Sequence, residues 1–546
     1  MSSRYSTIYT VSGLWVVLMG VALWTRPHLP VDETRYLAVA WEMWLRGDFL
    51  VPYLNGEPYS HKPPLLFWLM HAGWGVFGVN DWWPRLIAPL FGLGCLFLTR
   101  GLAVALWPND KQTRELAPLL LMGCVFWSLF VTLTMFDMML AFFGLLGLLG
   151  VTKAYMKRQW VGFALVIIAV GFGILTKGPA ILLHILPVAL TAPLWAKWMA
   201  DNDGLLEYKR SHWYLQLLGC VVLGVAMALV WAIPAGIGGG EAYQQAIFWG
   251  QAAGRMVESF AHQRPIWWYA VILPALIMPW FIWPTLWKAL CASGASLWQD
   301  GRNLFCLIWF ATAFIAFSLI SGKQLHYLLP EFPALALIAA RSLSQHSEKI
   351  TASRWAGFLP SLLFGVLGIA LVFLPLGLVP ARLPDWAPEV DGYWGALILC
   401  LAVLGLISSG ANIIKSVTKL LILPVGFVVS LHLALAPVLW ARYDMKPISM
   451  QLKTWEDAGI PLALFGKNHG QFQFSGRLTH PMATVGQLTG QLEAFLKQNP
   501  TAYIVAFYKR IPDQATPVAI YPFRQHFMVV WDAKTMIEHP GIGNRI

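Results

Sequence analysis

Charge is scarce in this 546-residue chain: Asp, Glu, Lys and Arg make up 12% of it, against an apolar share of 58%. Soluble globular proteins carry about twice that charge, so a water-soluble fold is excluded. The uncharged stretches recur at lengths of about 20 residues, which is what a helix needs to cross a ~30 Å hydrocarbon core. Cysteine is also sparse. The six present, Cys95, Cys124, Cys220, Cys291, Cys306 and Cys400, lie in or beside apolar runs and the last 146 residues have none, which excludes a disulfide framework and leaves no metal-ligand spacing. No repeat of fixed period and no low-complexity segment is present. The first apolar run, Ile8–Trp24, lacks a small-residue cleavage pattern after it, so it reads as a retained span and not as a signal peptide. The net charge of +11 therefore has to be read by membrane side, where loop Lys and Arg set orientation; nucleic acid is not an expected partner.

What is present is an all-α polytopic membrane pattern with a small C-terminal α/β domain. Thirteen spans are expected, near residues 8–24, 84–107, 116–133, 135–151, 161–175, 180–194, 214–233, 267–288, 304–320, 325–340, 355–376, 393–406 and 420–439. With the N-terminus cytoplasmic, every inner loop holds two or three basic residues, from Lys111/Arg114 and Lys153/Lys157/Arg158 to Lys415/Lys419, as positive-inside topology requires. Residues 1–440 then form the membrane domain, with a first outer loop at about 26–83 and a glycine-containing, lid-like outer loop at about 235–266. Residues 441–546 lie outside too. In that tail Pro461–Phe465, Ala502–Tyr508 and His526–Trp531 read as strands and Val485–Lys497 as an amphipathic helix.

The first outer loop concentrates charge that cannot cross a bilayer. Thr34–Leu45 has Leu37, Trp41, Trp44 and Leu45 at helical spacing opposite Arg35, Glu42 and Arg46, which suits a helix lying flat at the interface. A second flat helix is expected from Leu65 to Phe77, after the Pro63-Pro64 break. Basic residues also stand on the outer side, where topology gives no reason for them: Arg35, Lys62, Arg85, Lys177, Arg255, Arg264 and Lys323. Snorkelling accounts for any one of them; seven at the outer mouth of a bundle point to a bound anion such as phosphate. Two acids stand out. Asp32, beside Glu33, is either the N-cap of the flat helix or a working carboxylate. Asp137, the only acid between Glu115 and Asp201, is either a cap in a tight outer turn or a paired functional group. Glu57, His61 and His262 are weak candidates for a divalent metal, without specific ligand spacing.

Outside the cytoplasmic membrane there is no nucleotide pool, so a group-transferring enzyme working there needs a lipid carrier that brings an activated group. A polyprenyl phosphate sugar fits: Lys and Arg stabilise the departing phosphate, and a carboxylate such as Asp32 deprotonates or orients the acceptor. The segments DETRY (Asp32–Tyr36), EMWLRGDFLVPYLNGEPYSHKPP (Glu42–Pro64), FDMMLAFF (Phe136–Phe143), TKGPA (Thr176–Ala180), HQRPIWWY (His262–Tyr269) and SGKQLHYLLP (Ser321–Pro330) resemble, in order and spacing, the bacterial aminoarabinose transferases of lipid A. That family belongs with the protein mannosyltransferases and oligosaccharyltransferases to the C-type glycosyltransferase fold. The resemblance implies undecaprenyl phosphate-aminoarabinose as donor, a lipid A phosphate as acceptor, the periplasmic face of the bacterial inner membrane as the location, and polymyxin and cationic-peptide resistance as the outcome. It also implies that Asp32 is the first-loop catalytic aspartate, with Glu33 beside it, and that Lys62, Arg35 and Tyr59 face the carrier phosphate. Asp137, Lys177, Lys323, His326 and Tyr327 fall in the other matching segments. His61 stands where the family has Glu before the Lys-Pro lysine.

No metal is required by this chemistry, and a lipid A phosphate is already ionised near neutral pH, so Asp32 is open to three roles: base, acceptor orienter, or partner of a metal or the sugar's amine. A related transferase moving another sugar and a lipid flippase are the alternatives; transporters favour a site near the bilayer midplane between repeats, and neither feature is visible. A deep cavity lined by Asp32, Arg35, Tyr59, Lys62 and Lys323, with an apolar groove for the prenyl tail, is expected under the first outer loop.

Overall fold

The computed structural model of the protein describes the chain except residues 1–5, 158, 204–208, 250–262, 349–355, 379–382, 407–411, 487, 489 and 546. Helical segments occupy all thirteen expected spans, but they differ in kind. Among the described residues, seven helices are long and apolar enough to cross a membrane, and the pair Ala180–Leu190 and Ala192–Met199, bent by 45°, makes up to eight. The other five are short or broken. Gly123 and Cys124 separate Lys111–Met122 from Val125–Phe130, and the 267–288 region splits into Trp268–Leu276, Trp280–Ile282 and Pro284–Ser293. Apolar length in sequence does not see such breaks, because a proline or a tight glycine contact interrupts the backbone ladder without lowering hydropathy. At Gly123 a Cβ would stand 2.2 Å from the Trp280 ring.

Both helices expected in the first outer loop are present, Asp32–Arg46 and Leu65–Phe77. The first is buried along much of its length, from Glu33 to Met43, while Leu45, expected on the apolar face, is 42% exposed. Its N-cap is Val31, without a side-chain capping bond, so Asp32 is not spent as a cap.

Glu33 fixes where this helix begins. Its carboxylate accepts from Arg26 at 2.6 and 3.0 Å, from the Leu29 amide at 2.8 Å and from the Thr134 amide at 2.8 Å. Arg26 in turn donates to the Thr132 carbonyl at 2.5 Å. The exit of the first span, the start of the flat helix and the turn before the helix Phe136–Lys157 are thereby tied together. Burial pushes the Glu33 carboxyl up, but the Arg26 charge and hydrogen bonds, with Arg85, outweigh it and bring the group down to about 2. Arg85 caps the end of the first span by donating to the Ala22 and Leu23 carbonyls, a favourable place for a cation.

The tail carries a five-stranded sheet in the order 483–485, 462–465, 503–508, 526–532, 519–523. The first three strands are parallel and the last two antiparallel. Alternate residues face opposite sides: Ala463, Ile504, Val529 and Trp531 fill one core, and Leu464, Val505, Met528 and Val530 pack the other with Ile448 and Leu452 of the helix Lys446–Asp457. The three sequence-predicted strands are present; the amphipathic helix is shorter, Gln491–Gln498, because Val485 belongs to the strand Ala483–Val485.

The tail sits on the first outer loop. Trp41 donates to the Leu478 carbonyl at 2.8 Å, Asn55 exchanges hydrogen bonds with Met482, and Phe474 stacks on Trp74 at 5.3 Å. Arg524 reaches the Pro30 carbonyl at 2.6 Å.

The depressed Glu33 group predicts a pH dependence. Its stabilisation is complete above the ordinary value of 4.5 and is lost as pH falls toward about 2. The wild-type melting temperature in detergent should therefore drop through that acid window. Glu33→Gln should flatten the drop and, by leaving Arg26 buried without its partner, cost roughly 3–5 kcal/mol at neutral pH; a Gln variant melting like wild type would refute the clamp.

Candidate active site

The outer end of the helix Phe136–Lys157 places Asp137 in its first turn, where the helix dipole favours a carboxylate. Asp137 is 2% exposed. Its Oδ1 accepts from Lys177 Nζ at 2.6 Å, and His326 Nε2 stands 3.9 Å from Oδ2. It is thus an ion-paired group in a bundle of opposing charges and not a simple cap. Lys177 ends the helix Trp160–Lys177 and also lies 4.9 Å from the Tyr327 ring centroid. His326 stacks on Phe130 at 5.4 Å. Lys62 arrives from the first outer loop, its Nζ 5.5 Å from the Phe136 ring centroid and close enough for its charge to act on Asp137. Tyr36 and Phe67 pack edge-on against the same Phe136 ring at 4.9 and 5.9 Å.

Five stretches therefore meet at one point: the DETRY helix, the Lys-Pro loop, the FDMM helix start, the TKGPA turn that carries Lys177 and the turn that carries His326 and Tyr327. Asp32 belongs to the rim of this cluster. It is half-exposed, 3.7 Å from Arg35, and its charge acts on Tyr36 and His326. Tyr59 is buried beside His61 and Phe67.

Other expected site residues are occupied elsewhere. Glu33 is consumed by Arg26 and two amides, so the catalytic role expected for it gives way to a positioning one. Lys323 is 3% exposed, and its Nζ donates to the carbonyls of Ile320 at 2.5 Å and Arg264 at 2.9 Å. A buried ammonium at the end of the helix Gly301–Leu319 takes the nearest carbonyl oxygens, and with the Gln263–Gly322 bridge it fastens two outer turns together. Arg264 is exposed over the Trp268 ring at 5.8 Å. Arg255 and His262, with residues 250–262 of the expected lid, lie outside the described residues. Among the described residues no three His, Cys, Asp or Glu side chains gather as a metal site; Glu57 is exposed in a two-residue strand and His61 rests against Tyr59.

A cleft of about 190 Å³ opens between the C-terminal half of the helix Asp32–Arg46 and the tail, lined by Trp41, Glu42, Arg46, Asn55, Gln473 and His480. None of the residues expected to line a cavity borders it.

Sequence reasoning missed Arg26 and the pair His184–Glu331, whose Nδ1 and Oε1 are 2.5 Å apart with both side chains fully buried. The argument applied to Asp137 would have found the second: His184 sits in AILLHILPVAL and Glu331 follows a long apolar turn, and polar groups there are expensive unless paired. The pair braces the turn Leu325–Glu331, which carries His326 and Tyr327, against the helix Ala180–Leu190.

A family model, dolichyl-phosphate-mannose-protein mannosyltransferase, matches residues 14–235. Among solved structures the fold is similar to ArnT from Cupriavidus metallidurans bound to undecaprenyl phosphate, with a TM-score of 0.76, 20% identity and coverage of 97% of this chain and 98% of that one. It is also similar to the Archaeoglobus fulgidus oligosaccharyltransferase, with a TM-score of 0.52, 13% identity and coverage of 92% and 70%. The architecture is that of the C-type, integral-membrane glycosyltransferases. In sequence the chain is 30% identical over 362 residues to the undecaprenyl phosphate-alpha-4-amino-4-deoxy-L-arabinose arabinosyl transferase of Pectobacterium atrosepticum, an alignment spanning 64% of this chain and 61% of that relative. It is 26% identical over 490 residues to the enzyme of the same name from Shewanella sediminis, covering 86% and 80%. The chain is thus similar in sequence to these aminoarabinose transferases and spans about three-fifths of the length of the Pectobacterium relative.

The Asp137–Lys177 pair invites a double-mutant cycle. Lys177→Met should cost roughly 3–5 kcal/mol by stranding a buried carboxylate, and Asp137→Asn in the same chain should restore much of it. Additive losses in thermal melting would show that the two groups do not depend on each other.

Proposed function

We propose that this protein transfers 4-amino-4-deoxy-L-arabinose from undecaprenyl phosphate-aminoarabinose to a phosphate of lipid A. It does so at the periplasmic face of the bacterial inner membrane, with the N-terminus cytoplasmic and the tail periplasmic, and so lowers the charge that polymyxin and cationic peptides bind. The observation that carries this reading is the convergence of Lys62, Lys177 and His326 on buried Asp137 at one end of the bundle.

In this reading the carrier phosphate enters between Lys62 and Lys177. As the bond from the sugar's anomeric carbon to the phosphate oxygen breaks, that oxygen gains charge, and the two ammonium groups stabilise it in a setting with little water to compete. Asp137 keeps Lys177 extended and, with Phe136, Tyr36 and Tyr327, holds the cations without giving them flexible neighbours. The acceptor phosphate oxygen, already anionic, attacks the anomeric carbon from the opposite side, so deprotonation is not the difficulty. Asp32, half-exposed at the rim, is positioned in this scheme to hold the sugar's ammonium or orient the acceptor. The reading calls for no metal.

Mass spectrometry of lipid A from a strain lacking the endogenous enzyme, with and without this gene, tests it. An aminoarabinose-sized adduct should appear only with the wild-type chain, and Lys62→Met should lower turnover by about 10²–10³ while the protein still folds. Asp32→Asn should reduce turnover more than donor binding. A gene-dependent adduct of hexose mass would replace the sugar assignment, and no adduct would overturn transfer to lipid A.

A further inference from the structure

The strand Leu462–Phe465 ends in the loop Gly466-Lys467-Asn468-His469-Gly470-Gln471. It leaves the carboxyl end of a parallel strand flanked on both sides by parallel neighbours, the end at which open α/β sheets bind ligands. The loop is fastened internally: the Gly470 amide donates to Asn468 Oδ1 at 2.8 Å and the His469 amide to Gln471 Oε1 at 3.0 Å. Gly470 has φ +75°, and a Cβ there would come within 2.8 Å of Ala38 Cβ and 2.6 Å of Leu54. The glycine thus lets the loop press onto the N-terminal half of the helix Asp32–Arg46.

That contact delivers tail residues to the rim of the membrane site. Arg35 donates through Nη2 toward His469 Nδ1 at 3.5 Å while its Nη1 lies 3.7 Å from Asp32. Lys467 is exposed, and its charge and those of Arg35 and Asp32 all act on His469. With Nδ1 facing a guanidinium, His469 keeps its proton on Nε2 and presents that N–H as a donor. Nδ2 of Asn468 is enclosed and has no hydrogen-bond acceptor. Two cations, a ring N–H and an unmet amide donor on one short loop and its neighbour form a set of donors with too few acceptors. A phosphate supplies those acceptors.

We propose that Lys467, Asn468 and His469, with Arg35, form a phosphate subsite for the incoming acceptor lipid, distinct from the Lys62–Lys177 pair that takes the carrier phosphate. The proposal rests on the transfer reading and adds the acceptor's binding partners, which come from the tail domain. It gives that domain a role in substrate selection, because its loop lays His469 beside Arg35.

The test is binding, measured by native mass spectrometry on the full-length protein with three probes: lipid A bearing both phosphates, the same lipid after phosphatase treatment, and undecaprenyl phosphate. In the Lys467→Ala/His469→Leu variant, affinity for the phosphorylated lipid A should fall about tenfold or more, as expected for losing two charge-assisted contacts. It should reach the level that wild type shows for the dephosphorylated lipid, with undecaprenyl phosphate bound as before. Lys497→Ala, an exposed lysine elsewhere on the tail, should change nothing, and melting temperatures report folding. The subsite is overturned if wild type binds both forms of lipid A alike, if the variant keeps its preference for phosphate, or if undecaprenyl phosphate binding falls equally. Wild-type protein that transfers no sugar in the same preparation counts against the transfer reading, and the binding difference then stands as the measure of the loop alone.

Discussion

A single carboxylate joins the parts of this protein that have to stay in register. Glu33 takes two hydrogen bonds from Arg26 and one each from the amides of Leu29 and Thr134, and so connects the end of the first span, the flat helix and the turn that launches Phe136–Lys157. Two unit charges removed from water are costly unless fully satisfied, and here nearly every lone pair of the carboxylate is used. Because Asp32 and Arg35 follow on one side of that joint and Asp137 on the other, the rim and floor of the candidate site inherit their spacing from it.

The same economy of charge explains where each outer cation is held. Arg85 is committed to the carbonyls ending the first span, and Lys323 to those ending Gly301–Leu319. Both act as fasteners of outer turns. Lys62 and Lys177 instead gather around Asp137 and the Phe136 ring, where an aromatic wall lowers the local dielectric and raises the worth of each remaining charge. A site of this kind has fewer cations than a count of outer Lys and Arg suggests, each held more firmly.

The tail alters the picture of a membrane domain working alone. Its stacking of Phe474 on Trp74, its hydrogen bonds to Asn55 and Trp41 and the close approach of Gly470 cover the helix Asp32–Arg46, which a membrane interface would otherwise have to accommodate. The amphipathic pattern of that helix was legible, but its apolar side meets protein. Hydropathy measures how much surface must leave water and is indifferent to what receives it.

By itself the sequence determined the membrane class, the two helices after the first span, three tail strands and the ordered motifs that carry Asp32, Lys62, Asp137, Lys177 and His326. Each of these is a local property: run length, period or a charge where charge is expensive. Only the tertiary structure decided that Glu33 and Lys323 are bound to backbone and ion-pair partners, that several apolar runs are broken helices, and that His469 reaches Arg35 across 434 positions. Those outcomes depend on which segments cross and at what depth, and long-range packing sets that geometry with no trace in the neighbouring residues.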